Sequence, residues 1–578
     1  MTDEASPESV ERDLRGLVTV SQYGDIMHMP QRQPKGPSTL HPSFPYPSLG
    51  SNKQRMAVMS ESSSEQPQET AANACIGCRS QKRKCDKTLP SCSRCVKMKV
   101  RCNYKWAITG TQVNPYTSLS DFLLFHVPVT GDNLWLPGTF QPLQPCWQSI
   151  HSRRLDIDQF FVGLLMTTLV EQRESANDIL RLYFTNIHTW LPIVHNQTFQ
   201  SRLSQMGDAP TADTALILFA MLLLMKGTES REGNSRSGLY LLCSYHFSFI
   251  QLVRGPTVEL VQAGLLLAVY ELGSGRSQAA SLTIGTCARL GYILRLNIDD
   301  QVTPQDSSWV KAEEQRRVWM GIYLLDRLIH QVETNVFAPH AVDEPAAHFR
   351  LPFNDPEWER CTAFPSPGPF QPDFSTPIDV PLAYFAREIQ AVRILGQVQL
   401  LPKISNQDMF HQQINKIDAF LMQLMERLFE QTPGSWEVLC GANANALMAA
   451  ITLHRTRLNL ETQIHPFGPS TQQTSERSIF ALCSIIGMVR EICLKFNALD
   501  ERSKIRWVPL PAVICTGEAA KAAVWLNQIP ARRTCLDIEP LRETLRYSAR
   551  SWKLAEEHLR QIAQLDTASL GLIVGSKT

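Results

Sequence analysis

Apolar residues along the C-terminal three-quarters of the chain recur at helical spacing. Leu180, Tyr183, Phe184, Ile187 and Leu191 fall at i, i+3, i+4 intervals before Pro192, which predicts a helix closed by that proline. Val318, Ile322, Leu325 and Ile329 form a second stripe behind the charged turn Glu313-Glu314-Gln315-Arg316-Arg317. Leu482, Ile485, Ile486, Val489, Ile492 and Phe496 form a third. The run between Asp213 and Lys226 is apolar on every side but holds only about twelve such residues, short of the ~18–20 a bilayer span needs, so it reads as a buried helix. Long alternating strand patterns are absent. The expectation is a large all-α domain over 161–565, interrupted by a Pro-rich loop near 350–380.

Upstream the pattern changes twice. Residues 1–70 hold eight prolines and polar runs such as SESSSEQPQE, too few apolar groups to offset ordering entropy, and are expected to be disordered. Residues 107–160 form a Gly/Thr/Pro-spaced linker, and NYKWAITGTQVNPYTSLSD (103–121), which leads into it, shows no a/d repeat for a zipper. Between them lies a compact module, 71–106, of opposite character.

Over the whole chain, 56 Lys and Arg against 55 Asp and Glu give a formal net charge of +1, which by itself names no partner. The charge is segregated, however. From Cys75 to Lys105 ten basic residues face one acid, Asp86, a net +9 that leaves the remainder near −8. A patch of that sign on about thirty residues is an electrostatic footprint for a phosphate backbone.

The same segment carries six of the fifteen cysteines: Cys75, Cys78, Cys85, Cys92, Cys95 and Cys102. Their spacing is C-x2-C-x6-C twice over. The opening MTDEASPESVERDL has neither a basic nor an apolar region of a secretory signal, so reduced thiols or metal ligation are expected rather than disulfides. Two separate tetrahedral zinc ions need eight ligands, and a single closed site would leave two cysteines over. Two ions sharing two thiolates use all six, and the repeat nominates the first cysteine of each half, Cys75 and Cys92, as the bridges. Metal held in this closed way is structural and stands in for a hydrophobic core. A short helix beginning near Cys78 would carry Arg79, Lys82 and Arg83 outward to base edges in a major groove. Lys84 belongs to the same basic run, and Lys99 in the second half is expected to touch phosphate. Lys82-Arg83-Lys84, with Lys97, Lys99 and Arg101, also has the composition of a nuclear import signal.

This segment resembles the binuclear zinc cluster of fungal transcription factors, including the proline between the halves (Pro90 in TLPSC). The resemblance implies two structural Zn²⁺ ions. It also implies that Lys82, four residues past the second cysteine, reaches the bases of a CGG-type half-site in double-stranded DNA. YFTNIHTWLPIVHNQTF (183–199) and EEQRRVWMGIYLLDR (313–327) are similar to the helical middle-homology, or fungal-specific transcription factor, domain. The implied protein is a nuclear, sequence-specific regulator of RNA polymerase II genes. It would control a metabolic or secondary-metabolite gene cluster, bind either as a monomer or as a homodimer paired through its helical body, and contact transcription machinery or co-regulators. The alternative is a repressor or adaptor acting mainly through the helical body.

Other constellations read structurally. His188 and His195 flank a helix end with no carboxylate nearby in sequence, and are expected in core or capping roles. Gly273-Ser274-Gly275-Arg276-Ser277 lacks a phosphate-loop pattern and reads as a surface turn. Asp326 and Arg327, with Glu313, Arg316 and Arg317, are expected to form ion pairs. Cys146, Cys243, Cys287, Cys361, Cys440, Cys483, Cys493, Cys515 and Cys535 read as ordinary buried thiols. No nucleophile elbow or paired-carboxylate site is present, so no enzyme and no membrane protein is expected.

Overall fold

The computed structural model describes residues 74–102 except 76–77, 80, 89–90 and 101, and then 157–226, 233–299, 309–333, 338–360, 372–431, 440–464, 469–528 and 536–575. The expected disordered segment 1–70 and nearly all of the expected linker lie outside the described residues. The described residues fall into two compact units, the cysteine-rich module and the helical body.

Among its described residues the module has a helical turn at Cys78 and Arg79 and a short helix, α1 (Ser93–Lys97). The body is a succession of helices: α2 (Ile157–Gln172), α3 (Ala176–Asn186), α4 (Asn196–Gln205), α5 (Ala212–Met225), α6 (Gly233–Arg254), α7 (Val258–Gly273), α8 (Ser277–Ile293), α9 (Trp309–Val332), α10 (Asp355–Glu359), α11 (Tyr384–Leu400), α12 (Gln407–Gln431), α13 (Cys440–Ile464), α14 (Pro469–Ala498), α15 (Leu510–Asn527), α16 (Glu539–Ser548) and α17 (Lys553–Gly575). Among the described residues there is no strand, only an isolated bridge between Arg350 and Asp373. The fold is therefore mostly α, as the periodicity predicts. No helix among the described residues is long and apolar enough to cross a membrane.

Burial sorts the helices into an inner set and an outer set. Every residue of α5 from Thr214 to Met225 is buried, as expected of a segment apolar on all sides. Helices α7, α9, α11, α13 and α15 are likewise buried over long stretches, for example Val318–His330 in α9. The outer helices are amphipathic: α12 buries Phe410, Ile414, Ile417, Leu421, Leu424 and Leu428 and leaves its other side wet. Close approach between helices is bought at Gly273, where a Cβ would collide with the Trp552 ring. That indole is pinned by its Nε1 donating to Val508 O at 2.7 Å.

The stripe 180–191 needs a correction. Helix α3 stops at Asn186, and Ile187–Trp190 form a turn, so Leu191 is buried from a different element. His195 then caps α4 as expected, its Nδ1 accepting from Thr198 N at 3.3 Å. His188 does find a carboxylate, Glu359 Oε1 at 3.0 Å, from a helix 171 residues away. The turn 273–277 links α7 to α8, with Gly275 at φ +72° and the Arg276 guanidinium over the Tyr240 ring. Of the nine other cysteines, Cys243, Cys287, Cys493 and Cys515 are buried and Cys483 is half-buried.

The charged turn 313–317 forms the polar hub of the body. Arg317 is fully buried. Its Nε donates to Glu313 Oε1 (2.8 Å), its Nη1 to Asp355 Oδ1 (2.6 Å) and its Nη2 to Phe353 O (2.7 Å), while its plane covers Trp358 at 4.1 Å. Glu314 Oε1 accepts from His195 N and from Gln262 Nε2, at 3.0 and 2.9 Å. Arg316 and Arg350 converge on Asp299. One turn of α9 thus ties together α4, α7 and α10, and every charge in it has a partner, the condition under which buried ions are tolerated. Asp326 and Arg327 pair separately, further along the same helix, and anchor Ala341 and Val342.

Arg317→Ala removes the cation shared by Glu313 and Asp355 and should cost about 3–5 kcal/mol, read as a lowered urea midpoint. A second expectation concerns pH. Burial holds His454 and His558 down to about 4. Below about pH 6.5 the unfolded chain takes up protons at these rings and the folded chain does not, so stability is full above that pH and falls as pH drops toward 4. The slope is up to about 1.4 kcal/mol per pH unit per ring, and His558→Asn should flatten the melting-temperature profile between those limits.

Candidate metal centre and nucleic-acid interface

The module is a duplication at a shift of 17 residues, visible bond by bond. Arg79 N donates to Cys75 O and Val96 N to Cys92 O. Lys82 N donates to Arg79 O and Lys99 N to Val96 O, both at 3.1 Å. Arg83 N reaches Cys78 O as Val100 N reaches Cys95 O. Lys82 and Lys99 both adopt the left-handed conformation, at φ +50° and +51°. In each half the first cysteine's sulfur accepts from the backbone of the second, Cys78 N to Cys75 Sγ at 3.4 Å and Cys95 N to Cys92 Sγ at 3.5 Å. The third cysteine of each half accepts from the first: Cys75 N to Cys85 Sγ and Cys92 N to Cys102 Sγ.

These bonds bring the six sulfurs into one array. Cys75 Sγ lies 3.6 Å from both Cys92 Sγ and Cys95 Sγ, and Cys78 Sγ lies 3.7 Å from Cys92 Sγ. Sulfurs on one tetrahedral zinc, with Zn–S near 2.3 Å, stand about 3.8 Å apart, so the array has the spacing a zinc–thiolate cluster needs. Cys75 and Cys92 sit at its centre, each close to sulfurs of the opposite half. The donor set is all sulfur, which suits zinc and not a hard cation. Crowding sets the protonation of the metal-free array. Burial pushes the Cys78 thiol up to about 11, and the hydrogen bond with Cys92 raises Cys95. Burial also acts on Cys92, but hydrogen bonds from Cys95 outweigh it and bring that thiol down to about 6.

Two residues outside the cysteines shape the site. Asp86 accepts from Ser93 N through both oxygens, at 3.2 and 3.1 Å, tying the first half's end to the start of α1. Arg94 turns inward, donating to Cys78 Sγ at 3.8 Å and to Gln81 Oε1 at 3.1 Å. In the sequence Arg94 is only one of the ten basic residues between Cys75 and Lys105. Its one distinguishing signal is its place between Cys92 and Cys95, where the first half has Gly77.

Arg79, Lys82, Arg83, Lys84 and Lys99 are all exposed on this frame. One expectation changes: the helix at Cys78 is a single short turn, and Lys82 lies beyond it, projected by the left-handed residue itself. The two halves also differ in side chains. Where the first half presents Arg79, Gln81 and Arg83, the second presents Val96, Met98 and Val100, also exposed.

Residues 73–110 match the fungal Zn(2)-Cys(6) binuclear cluster domain, and residues 180–361 match the fungal specific transcription factor domain. Transcription factor BOA15 of Botryotinia fuckeliana is 34% identical over 160 residues, which cover 27% of this chain and 87% of that one. The chain belongs to the fungal zinc-cluster transcription factors. Pigment biosynthesis transcriptional activator pigB of Monascus ruber is 24% identical over 504 residues, 78% of this chain and 87% of its own. Tropolone cluster transcription factor tropK of Talaromyces stipitatus is 26% identical over 306 residues, 44% of this chain and 54% of its own. Membership in this family makes the chain a transcription regulator and not an enzyme, and its zinc-cluster domain binds two zinc ions.

The central position of Cys75 and Cys92 has a measurable consequence. Metal analysis of the dialysed full chain should return two zincs, Cys85→Ser should retain about one, and Cys75→Ser or Cys92→Ser should lose both. Retention of one ion by Cys75→Ser would show that it does not bridge.

Proposed function

We propose that the chain is a nuclear, sequence-specific regulator that binds CGG-like half-sites in double-stranded DNA and controls transcription of RNA polymerase II genes of a biosynthetic cluster. Cys75, Cys78, Cys85, Cys92, Cys95 and Cys102 hold the two ions, with Cys75 and Cys92 shared. Zinc supplies the cross-links that fix the module, and the chain's own residues do the recognition. Lys82 reaches base edges from its left-handed turn, Arg79, Arg83 and Lys84 flank it, and Lys99 contacts phosphate.

The observation that carries this reading is the asymmetry of an otherwise duplicated frame. The first half presents Arg79, Gln81 and Arg83 around its projecting lysine, the hydrogen-bond donors that base and phosphate oxygens require, where the matching positions of the second half are apolar. There Val96, Met98 and Val100 offer no polar contact to base edges, and the donors that remain beside Lys99 in the sequence are Lys97 and Arg101, cations suited to phosphate. The biosynthetic-cluster assignment is supported by relatives named for pigment and tropolone clusters. A homodimer through the helical body would present two modules to a paired site, and co-regulators would meet the same body.

Binding assays on a panel of half-site variants test the division of labour. Lys82→Ala should cost about 1–3 kcal/mol on the preferred site and relax discrimination between sites. Lys99→Ala should weaken all sequences alike and reduce the salt dependence of log K by about one unit of slope. Equal behaviour of the two variants would refute the assignment.

A further inference from the structure

Helix α6 carries an apolar face that nothing among the described residues covers. Leu239, Leu242, Cys243, Phe247 and Ile250 point into the core. On the opposite side Leu241, Tyr245, Ser248 and Leu252 are exposed at spacings of four, three and four residues. Leu252 is 83% exposed, the highest value for a large apolar side chain among the described residues. The face is ordered, with the Tyr245 ring stacked on Phe249 at 6.2 Å and 14°. From Gly238 to Val253 there is no Asp, Glu, Lys or Arg.

Those features select the occupant. DNA, or an acidic or basic protein segment, needs counter-charge, and this face has none. The 4-3-4 spacing is that of a two-stranded helical seam, and it reads the same in both directions. Laid antiparallel about a two-fold axis between positions 245 and 248, Leu241 meets the partner's Leu252, and Tyr245 meets the partner's Ser248. Large side chains face small or matching ones, no like charges approach, and the opposed helix dipoles attract.

We infer that α6 is the homodimer interface of the helical body, pairing antiparallel with α6 of a second copy. This rests on the reading of the chain as a regulator that dimerises through its body, and it names the surface. One helix face is smaller than the ~800 Å² per partner of a standard interface, so the association is of micromolar strength.

Sedimentation equilibrium of the zinc-loaded full chain at tens of micromolar tests it. The wild type should be dimeric. Leu241→Glu combined with Leu252→Glu places like charges opposite one another and should weaken association about a hundredfold. Leu241→Glu combined with Leu252→Lys places opposite charges together in this register and should restore it. Both variants carry two charges at positions exposed in the single chain, so unchanged helicity and melting temperature are expected of both. A monomeric wild type overturns the inference, as does equal behaviour of the two variants. So does dimerisation that appears only when residues 107–156 are deleted, since the linker would then be the occupant. Half-site binding, measured alongside, separates the two claims. If binding survives without association, the interface fails and the regulator stands; if association survives without binding, the reverse holds.

Discussion

The module depends on one electrostatic problem, the confinement of six sulfurs within a few ångströms of each other. Two thiolates 3.6 Å apart repel by about 4–5 kcal/mol at an effective dielectric of about 20. Without cations, burial and the neighbouring sulfurs push the Cys78 and Cys95 thiols up toward their protonated forms. Two Zn²⁺ ions reverse the sign of that interaction and make the sulfurs the module's core. The backbone then follows: the sulfurs of Cys75, Cys85, Cys92 and Cys102 accept main-chain N–H groups, and main-chain bonds from Arg83 to Cys78 and from Val100 to Cys95 close the left-handed turns at Lys82 and Lys99. Lysine in that conformation is unfavourable on its own, so the projection of Lys82 is a consequence of the cluster.

The helical body solves the converse problem, how to admit charge into an apolar interior. Glu313, Arg316 and Arg317 are buried in α9, yet each charge is paired, with one another and with Asp299, Asp355 and the main chain at Phe353 from distant segments. Apolar burial supplies most of the stability, while the charged hub specifies which elements meet. The two units therefore reach ordered structure by different routes, metal ligation in one and helix packing in the other.

How much of this the sequence discloses depends on the range of the interaction. The cysteine spacing is local and repeated, and the resulting array was legible from it. Helices α5, α9 and α14 were legible because their burial follows a continuous or periodic apolar pattern. The 180–191 stripe misled because the turn after Asn186 keeps apolar side chains at helix-like intervals while the backbone leaves the helix. The pairing of His188 with Glu359 spans 171 residues and has no local signature. The inward turn of Arg94 is invisible among ten basic residues until the sulfur it bonds is placed. The outward face of α6 is hidden for another reason: Leu, Tyr and Phe occupy both sides of that helix, so no amphipathic period marks which side is wet.

The duplication itself explains why a second copy matters. A symmetric frame with two equivalent projecting lysines could in principle read DNA from either half. Replacement of Arg79, Gln81 and Arg83 by Val96, Met98 and Val100 at the matching positions leaves one reading half per chain. One such half engages only a few base pairs, and a few base pairs recur far too often in a genome to define a site. On the proposed reading, a second chain held in fixed relation would supply the missing specificity, through a self-complementary surface elsewhere. The sequence after Cys102 carries no heptad, so the proposed pairing surface belongs to the body. Among its described helices, α6 has an exposed apolar seam that is neutral and palindromic in spacing, the two properties that pairing with an identical copy demands.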